Sequence, residues 1–369
     1  MIRRLIVIAV NALCLIAFIV CLVISSSIRT PLRSQQAADA WRGQSGERFS
    51  QLSVFFPETS NFDDEAIRNM RNSLDRSLLA ASLETTQGRT LYTDAWSSEI
   101  DISIRSERER NPVNAKAIAV GGDFFLFHPL YLRDGSYLSP DDVMKDRIVL
   151  DEELAWRLFG ATSIAGFEVM INNKPFKIAG VISRENDSAS SKAYTYGMGL
   201  FISYEAYMAL TEGSGKIKTY EIVLPDPITG FAKETLTESV PDSNAVIVEN
   251  TNRFSLGNSF SRIGSFGERS MRSEAIAFPY WENAARLAED WLALILVISL
   301  IFLIFPVVCA VFYLIILIRF GIRQLMAFIR RLINKKDNRA YEKYLLEHHG
   351  EQQIYDADEI IREFNNEIY

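Results

Sequence analysis

The residues with the greatest potential for chemistry are a glycine–lysine cluster and a single histidine, both in the middle of the chain. Gly213–Lys216 (GSGK) has the lysine of a phosphate-binding loop, but Leu210 stands where that loop needs glycine and Ile217 where it needs Ser or Thr. His128 is the only histidine before the last part of the sequence, so a histidine-based triad or zinc centre would depend on it alone. We therefore expect no ATP-binding loop in this chain, and a packed or surface position for His128.

Two acidic clusters, Asp141-Asp142 and Asp151–Glu153, could supply general acids or bind a cation. Both also suit the first turn of a helix, where the helix dipole favours acidic side chains. Asn186–Ser188 matches a glycan acceptor, which has meaning only in a host that glycosylates. Because the sequence shows no nucleophile–base pair and no metal-ligand set, we predict no catalytic residue, no cofactor and no metal site. An enzyme is the least favoured class.

The elements that hold these residues lie between two long apolar runs. Leu5–Ile24 has twenty residues and Trp291–Ile318 has twenty-eight, all uncharged. A helix rises about 1.5 Å per residue, so roughly 20 residues cross the hydrocarbon core of a membrane. The first run also resembles a signal peptide, but signal cores are shorter, about 7–15 residues. We therefore predict two transmembrane helices in a cell (plasma or inner) membrane protein.

Basic residues flank both apolar runs on the side away from the central segment. Arg3 and Arg4 precede the first run, and six basic residues follow the second. Because Lys and Arg close to a span favour the cytoplasmic side, both termini are predicted to be cytoplasmic and the large central domain extracytoplasmic. The six residues are also candidates for contact with the membrane surface or with a coupling partner: Arg319, Arg323, Arg330, Arg331, Lys335 and Lys336.

These runs divide the sequence into four predicted parts. They are an N-terminal transmembrane helix (1–28), an extracytoplasmic domain (29–288), a second transmembrane helix (289–318) and a cytoplasmic amphipathic tail (319–369). The net charge of −7 argues against a nucleic-acid partner, which needs a basic face. Cys14, Cys21 and Cys309 all lie in the apolar runs, so the predicted outer domain has no disulfide and no thiolate metal site.

The outer domain is predicted to be α+β with two subdomains. Strand–helix–strand patterns occur at both of its ends, and residues of about 121–215 between them are richer in strand patterns. We therefore expect one subdomain to be assembled from both ends, with a strand-rich insert of about 121–215. The two end units are Leu52–Pro57, Asp63–Ser82 and Ile100–Ile104, and then Thr219–Leu224, Thr229–Val240 and Ala245–Val248.

The insert has its own local signals. A strand over Arg147–Leu150 leads into a short helix over Asp151–Phe159, which the following glycine can end. Phe167–Ile171 and Phe176–Ile182 flank an Asn-Asn-Lys turn and are predicted to form a hairpin. Ser183–Lys192 is Ser-rich and charged, and Thr251–Arg272, beyond the insert, is rich in Ser, Gly and Asn. Both are predicted to be loops.

A stretch of about sixty residues within this domain carries short motifs in a definite order. It resembles the periplasmic core domain of MacB-like ABC transporter permeases, of the MacB/FtsX type, in a two-span form. The motifs are Phe124-Phe125, Gly135 and Leu138-Ser139, then Leu154-Ala155 and Leu158–Gly160 in an acidic helix, then Ile164–Gly166, Val169–Asn173 and Phe176–Val181.

The resemblance implies a non-catalytic membrane subunit whose two helices and outer domain relay motion driven by a separate ABC ATPase subunit. It implies a second partner, either another permease subunit or a second copy of this chain, and a peptide, lipid-linked or drug-like substrate. Family members usually have four spans, whereas this sequence has no third apolar run before Tyr369. We therefore expect that a partner supplies the missing helices, or that this is a two-span relative with an accessory role.

The segment around and after the second run is predicted to be helical. Residues from Trp281 lead without a breaker into the run, so one helix is expected over Trp281–Ile333. Its basic, amphipathic end can lie on membrane lipids or dock on a partner. The acidic last part carries an apolar stripe that needs a partner of its own. That predicted docking face is Ile354, Ile360, Ile361 and Phe364.

Two functions follow from these patterns. The leading hypothesis is a membrane subunit of an ABC-type transporter or mechanotransmission complex. The alternative is a two-span receptor or scaffold that binds a ligand or protein outside and signals through its cytoplasmic tail without an ATPase.

Overall fold

The computed structural model of the chain describes residues 2–83, 90–194, 196–265, 272–273 and 276–366. Within these ranges the side chains of 265, 272–273, 341–342, 344–361 and 363–366 are not described. The chain forms two compact units, one of Met1–Ala17 with Ile301–Tyr369 and the other of Phe18–Leu300.

The described elements follow one another along the chain with short connections. The helices are α1 (Ile2–Arg29), α2 (Ala37–Arg42), α3 (Asp64–Ala80), α4 (Phe124–Phe127), α5 (Glu152–Phe159), α6 (Ser188–Ala193), α7 (Tyr204–Leu210), α8 (Phe231–Ser239), α9 (Leu256–Arg262) and α10 (Tyr280–Asn366). The strands are β1 (Phe49–Phe55), β2 (Thr93–Arg105), β3 (Val113–Gly122), β4 (Tyr131–Gly135), β5 (Arg147–Asp151), β6 (Glu168–Ile171), β7 (Lys174–Ser183), β8 (Gly199–Ser203), β9 (Thr219–Pro225), β10 (Val246–Glu249), β11 (Arg272–Ser273) and β12 (Ile276–Ala277).

Two of these helices are long and apolar enough to cross a membrane, α1 and the part of α10 within Tyr280–Ala340. Their most apolar segments are only 6% and 11% buried. The core helix of a soluble protein would be mostly buried, so these exposed apolar surfaces match a lipid environment. The prediction of one helix over Trp281–Ile333 is confirmed by the bounds of α10.

Residues 30–279, which we call the sheet domain, are built on one mixed sheet of ten strands. The strand order is β10-β1-β9-β2-β3-β8-β5-β7-β4, and β6 pairs with both β2 and β7. Strands from the two ends of the domain occupy one half of the sheet, and strands of the insert occupy the other. The halves meet where β3 and β8 run parallel, so the insert extends the sheet of the flanking parts.

Apolar side chains alternate between the two faces of the sheet, as the pleat of a strand requires. On β9, Ile222 and Leu224 face a first core, whereas Val223 between them faces a second. Helices α3, α5, α7 and α8 contribute to the first core, and α2, α4, α6 and the first turns of α10 contribute to the second. The sheet is therefore covered by helices on both faces, and α10 begins inside one of these helical layers.

Capping residues and a terminal glycine determine where the predicted helices α3 and α5 begin and end. Asp63 caps α3 by accepting hydrogen bonds from the backbone N–H groups of Glu65 and Ala66. One face of α3 is apolar and buried, and it is formed by Ile67, Met70, Leu74 and Leu78. Asp151 caps α5 in the same way, and α5 ends at Gly160, whose φ of 70° is left-handed. Both helices are confirmed close to their predicted bounds.

The close approach of β4 to β7 requires a glycine at position 135. Gly135 has a φ of +72°, and a Cβ there would lie 2.1 Å from the Ala179 carbonyl oxygen. We expect Gly135→Ala to lower the free energy of unfolding by about 3 kcal/mol or more, because left-handed strain and overlap add. Gly166→Ala is the matched control: its φ is +89° with nothing within 4 Å of the added Cβ, so it should cost about 1 kcal/mol.

Thermal unfolding of the purified protein in detergent measures both glycine variants. Equal effects of the two substitutions would contradict the packing of β4 on β7.

Two predicted loops are wrong because each contains a short helix. In the first, Asp187 caps α6, and Ala189, Ser190 and Ala193 are buried. In the second, residues 256–262 form α9, and Arg253 just before it is only 4% exposed. Residues 266–271 of the second segment lie outside the described residues. Serine and asparagine favour turns and helix caps alike, so composition concealed both helices.

Candidate functional site

The first turns of α10 are inserted into the second core of the sheet domain. Trp281 is 3% exposed, and its ring centroid lies 4.4 Å from that of His128 and 5.8 Å from that of Phe124. Ala284 and Ala288, one and two turns further on, are buried in the same core. The helix is thus fixed by packing before its apolar run begins.

A buried arginine outside α10 binds two acids on it. The Nη1 and Nη2 groups of Arg253 donate to Glu282 Oε2 and Oε1 at 2.6 and 2.8 Å, and its Nε donates to Glu289 Oε1 at 3.0 Å. Glu282 and Glu289 are 1% and 4% exposed and lie two helical turns apart. Arg286, on the turn between them, donates its Nε to Glu282 Oε1 at 2.7 Å. Arg253 therefore binds α10 at two acids that lie two turns apart.

The charges of this cluster determine its protonation. Burial by itself raises the pKa of Glu282, which precedes the apolar run, but the guanidinium groups of Arg253 and Arg286 outweigh burial and hold the pKa below its ordinary value. The carboxylate is then ionised at neutral pH. Because the folded-state pKa is lowered, this stabilisation is present above the unfolded pKa of about 4.3 and is lost as the pH falls through the folded value.

A line of buried hydrogen bonds leads from Arg253 across the sheet. Arg253 Nη1 donates to Asn250 Oδ1 at 3.4 Å, and Asn250 Nδ2 donates to Ser53 Oγ at 2.7 Å. Ser53 Oγ donates to Glu221 Oε1 at 3.1 Å, and Glu221 Oε2 lies 2.5 Å from His128 Nε2. The line crosses β1 and β9 and ends at the histidine that packs against α10.

His128 was predicted to be a packed or a surface residue, and it is packed. It is 1% exposed, and its Nδ1 has no hydrogen-bond partner among the described residues. One ring nitrogen of His128 therefore pairs with Glu221, and the ring packs against Trp281. We call His128, Glu221 and Arg253, together with the Trp281–Glu289 face of α10, the junction.

The chain coming from α1 reaches the junction too. Arg253 Nη1 donates to Gln35 Oε1 at 3.3 Å. Gln51 Nε2 donates to the Ser34 carbonyl at 2.7 Å, and Gln51 Oε1 accepts from the Ala37 N–H at 2.8 Å. Gln51 lies on β1, beside the line of buried hydrogen bonds. The segment that follows α1 and the arginine that binds α10 are therefore both linked by hydrogen bonds to β1.

A cleft of 390 Å³ opens between α3 and the insert. Arg68, Lys145 and Glu205 line it with charge, and its aromatic lining is Trp96, Phe124, Phe125 and Tyr204. A Cβ on Gly121 would lie 2.2 Å from the Trp96 ring, so this glycine lets the ring lie against the strand. Such a lining suits binding of an amphipathic molecule.

Among the described residues, no three His, Cys, Asp or Glu side chains come together as a metal site.

The six basic residues predicted to contact the membrane surface or a partner all lie on α10 with exposed side chains. Either role requires exposure, and the role itself stays a prediction. The predicted docking face lies on the backbone of α10, but its side chains are outside the described residues: Ile354, Ile360, Ile361 and Phe364.

The sequence predicted none of the ionic part of the junction. A signal was present on α10, because Glu282 and Glu289 stand seven residues apart just before the apolar run and so share a helical face with buried alanines. Arg253 carried no such signal, since it lies in a segment whose composition is typical of a loop.

The fold and the junction define a class of protein: a mixed α/β sheet domain carried between two candidate transmembrane helices and fixed to the second by a buried ionic network. Within this class the family is specific. The family model described as MacB-like periplasmic core domain matches residues 6–238, more than half of the chain, and the chain belongs to this family. The predicted resemblance and the predicted fold class are confirmed.

Two curated relatives match part of the chain. Both are described as "Macrolide export ATP-binding/permease protein MacB". The protein from Chromobacterium violaceum is 28% identical over 113 residues, which is 30% of this chain and 17% of the relative. The protein from Aggregatibacter actinomycetemcomitans is 26% identical over 128 residues, which is 34% of this chain and 19% of the relative. The match thus spans less than a fifth of either relative.

Solved structures show likenesses at lower identity. The periplasmic region of MacB from Actinobacillus actinomycetemcomitans is 19% identical, with a TM-score of 0.38, and the match covers 54% of this chain and 88% of that one. The extracellular domain of the noncanonic ABC-type transporter YknZ from Gram-positive bacteria is 13% identical, with a TM-score of 0.37, and the match covers 54% and 99%.

Proposed function

We propose that this chain is a non-catalytic membrane subunit of an ABC-type transporter or mechanotransmission complex. Membership of the MacB-like family supports this proposal, and the two curated relatives are described as ATP-binding/permease proteins. Because the sequence carries no phosphate-binding loop, ATP hydrolysis is assigned to a separate ABC ATPase subunit. The other proposed partners are another permease subunit or a second copy of this chain, and membrane lipids.

The junction is the observation that carries the proposal. Arg253 binds α10 at two acids that lie two turns apart, and Trp281 packs against Phe124 of α4 and against His128. A helix held by these buried contacts moves together with the sheet. Motion that a partner ATPase imposes on α10 therefore reaches the sheet domain on the other side of the membrane.

The proposed orientation places both termini in the cytoplasm and the sheet domain outside it. The basic residues after the apolar run support this arrangement, because they favour the cytoplasmic side. The cleft between α3 and the insert is the proposed place where a peptide, lipid-linked or drug-like substrate is handled. Its aromatic and charged lining suits molecules with both apolar and polar parts.

Co-purification tests the proposal directly. The full chain, tagged and purified from its host membrane in mild detergent, should bring down an ABC ATPase chain. Replacing Arg319, Arg323, Arg330 and Arg331 with glutamate should reduce its recovery, while Arg42→Glu in the sheet domain should not. Recovery of the chain alone, under conditions that keep known permease complexes intact, would contradict the proposal.

The alternative function is a two-span receptor or scaffold that signals through its cytoplasmic tail. The extension of α10 to Asn366, well beyond the apolar run, is the observation that favours it. Deleting residues 337–369 distinguishes the two functions. A receptor or scaffold should lose its partner while transport is unaffected, whereas a transporter subunit that couples through the tail should lose transport as well.

A further inference from the structure

Helix α9 presents an apolar stripe on an otherwise polar segment. The stripe consists of Leu256 and Phe260 of α9 and of Ile263, which directly follows the helix and still has helical backbone angles. The three follow one another at spacings of four and three, so they share one helical face. Their exposed fractions are 75%, 64% and 36%. Ser259, three residues after Leu256 and four before Ile263, is buried at the edge of the stripe. The helix therefore contacts the sheet domain along that edge, while the apolar side chains of the stripe are exposed.

Ion pairs hold both ends of α9 at one point of α10. Arg253, just before the helix, donates to Glu289 at 3.0 Å, and Arg262, at its end, lies 3.9 Å from the same carboxylate. Glu289 comes two residues before Trp291, where the apolar run begins. Two residues of helix span about 3 Å. Helix α9 is thus fixed close to the level at which α10 enters the hydrocarbon.

A second contact marks the same level. The Lys192 ammonium lies 4.8 Å from the ring centroid of Trp291. Tryptophan and lysine side chains are enriched where a helix passes from headgroups to acyl chains. From there on, α10 shows exposed apolar side chains, beginning with Leu294 and Ile298 at 48% and 38%. The apolar stripe of α9 therefore lies at the edge of the lipid-facing surface of α10.

We propose that α9 is an interfacial anchor, whose Leu256, Phe260 and Ile263 side chains insert among phospholipids of the leaflet nearest the sheet domain. Short helices with one apolar face and a polar remainder bind membranes in this way, lying in the plane of the interface. The serine and asparagine residues of α9 suit the headgroups on its other sides. This inference concerns the sheet domain and the lipid only, and it does not depend on an ATPase partner.

The anchor has a consequence for the junction. Arg253 and Glu289 belong both to the attachment of α9 and to the buried network around Glu282. A membrane contact at α9 therefore acts on the residues that fix α10 in the sheet domain. The contact at α9 therefore adds a further attachment of the sheet domain to the membrane, beside the transmembrane helices.

A spin label at Phe260 tests the proposal in the full chain. Cys14, Cys21 and Cys309 are the three cysteines of the chain. Replacing them with alanine therefore leaves the thiol of F260C as the only site for the label. The labelled protein is reconstituted in liposomes of phosphatidylethanolamine and phosphatidylglycerol. Power saturation then compares collisions with oxygen, which concentrates in the bilayer, and with a water-soluble nickel chelate.

The matched control is W156C, an aromatic position that is 59% exposed. Its helix α5 is bound to the far end of β2, because Ser106 Oγ donates to the Leu158 carbonyl at 2.9 Å. The near end of β2, at Thr93, pairs with Val223, which pairs with Gln51 beside the junction. A strand of this length separates the two ends by about 40 Å, so a label at 156 stays in water.

The expected ratio of oxygen to nickel collisions is about five-fold higher at 260 than at 156, because an interfacial side chain lies roughly 5–10 Å below the headgroup surface. The same ratio at both positions would overturn the proposal, since the stripe would then face water. Low collision rates with both reagents at 260 would also overturn it, because protein, such as a second copy, would cover the stripe. L256C provides a second position, so a single misfolded variant does not decide the outcome.

Discussion

Replacing Arg253 with methionine is expected to lower the free energy of unfolding of the sheet domain by about 3–5 kcal/mol. The substitution leaves Glu282 and Glu289 buried, at 1% and 4% exposure, without the guanidinium that binds both. Removing one partner of a buried ion pair is costly because the remaining charge stays out of water without the partner that compensated it. Arg286 still donates to Glu282, but Arg253 is the residue that binds both acids. Methionine keeps the length of the side chain, so loss of volume contributes little.

Thermal unfolding of the full chain in detergent, followed by tryptophan fluorescence, measures this effect. Arg42→Met is the matched control: its guanidinium pairs with Asp39 at 3.0 Å, but the two side chains are 44% and 70% exposed. A pair so accessible to water contributes about 0–1 kcal/mol. If Arg253→Met were as mild as this control, the buried network would not hold α10.

A compensated variant separates the charge effect from any other. Arg253→Met combined with Glu282→Gln and Glu289→Gln removes the buried charges together with the arginine. Much of the lost stability should return, because a buried network replaced as a whole costs far less than one that is broken. A triple variant as unstable as Arg253→Met would show that the loss comes from hydrogen bonds and shape instead.

Local sequence signals were sufficient where a helix or strand is determined by its own residues. The helix predicted over Asp63–Ser82 is α3, because its cap and its buried face lie within one segment. The helices α6 and α9 were missed for the opposite reason. Their caps, Asp187 and Ser255, are residue types that turns use as often as helices, and their sequences show little apolar periodicity.

The order of strands in the sheet was beyond sequence analysis. The strand-rich insert was expected as a separate subdomain, and its strands do lie together in the sheet, but the parallel pairing of β3 with β8 joins them to the flanking strands. This pairing sets Lys116 opposite Gly199. The alternation of apolar and polar residues along a strand predicts which of its side chains face a core. It does not predict which strand lies next to that strand in the sheet.

The ionic part of the junction was missed because its residues are distant in sequence. Arg253 and Glu282 are 29 residues apart, and Ser53 and Glu221 are 168 apart. A polar residue in a Ser- and Asn-rich segment is ordinarily in water, and only the fold shows that this arginine is buried. His128 is the exception, since its isolation in the sequence predicted a packed or surface residue, and it is packed.

Replacing Trp281 with alanine is expected to lower the free energy of unfolding by about 3–5 kcal/mol, the cost of removing a large buried side chain. The indole is 3% exposed and packs against His128 and Phe124. Its Nε1 has no hydrogen-bond partner among the described residues, so the loss comes from packing. Trp156→Ala, at a position that is 59% exposed, should change stability by no more than about 0.5 kcal/mol.

Combining Trp281→Ala with Arg253→Met shows whether the junction acts as one body. Trp281 is adjacent to Glu282, which Arg253 binds, so loosening either contact lets α10 shift and weakens the other. The double variant should therefore cost less than the sum of the single variants, by about 0.5–3 kcal/mol. Hydrogen exchange along the first turns of α10 should rise in each single variant and hardly further in the double. If the stability losses of the two single variants simply added, the tryptophan and the arginine would hold α10 independently. The junction would then not act as one rigid body, and a relay of motion through it would be contradicted.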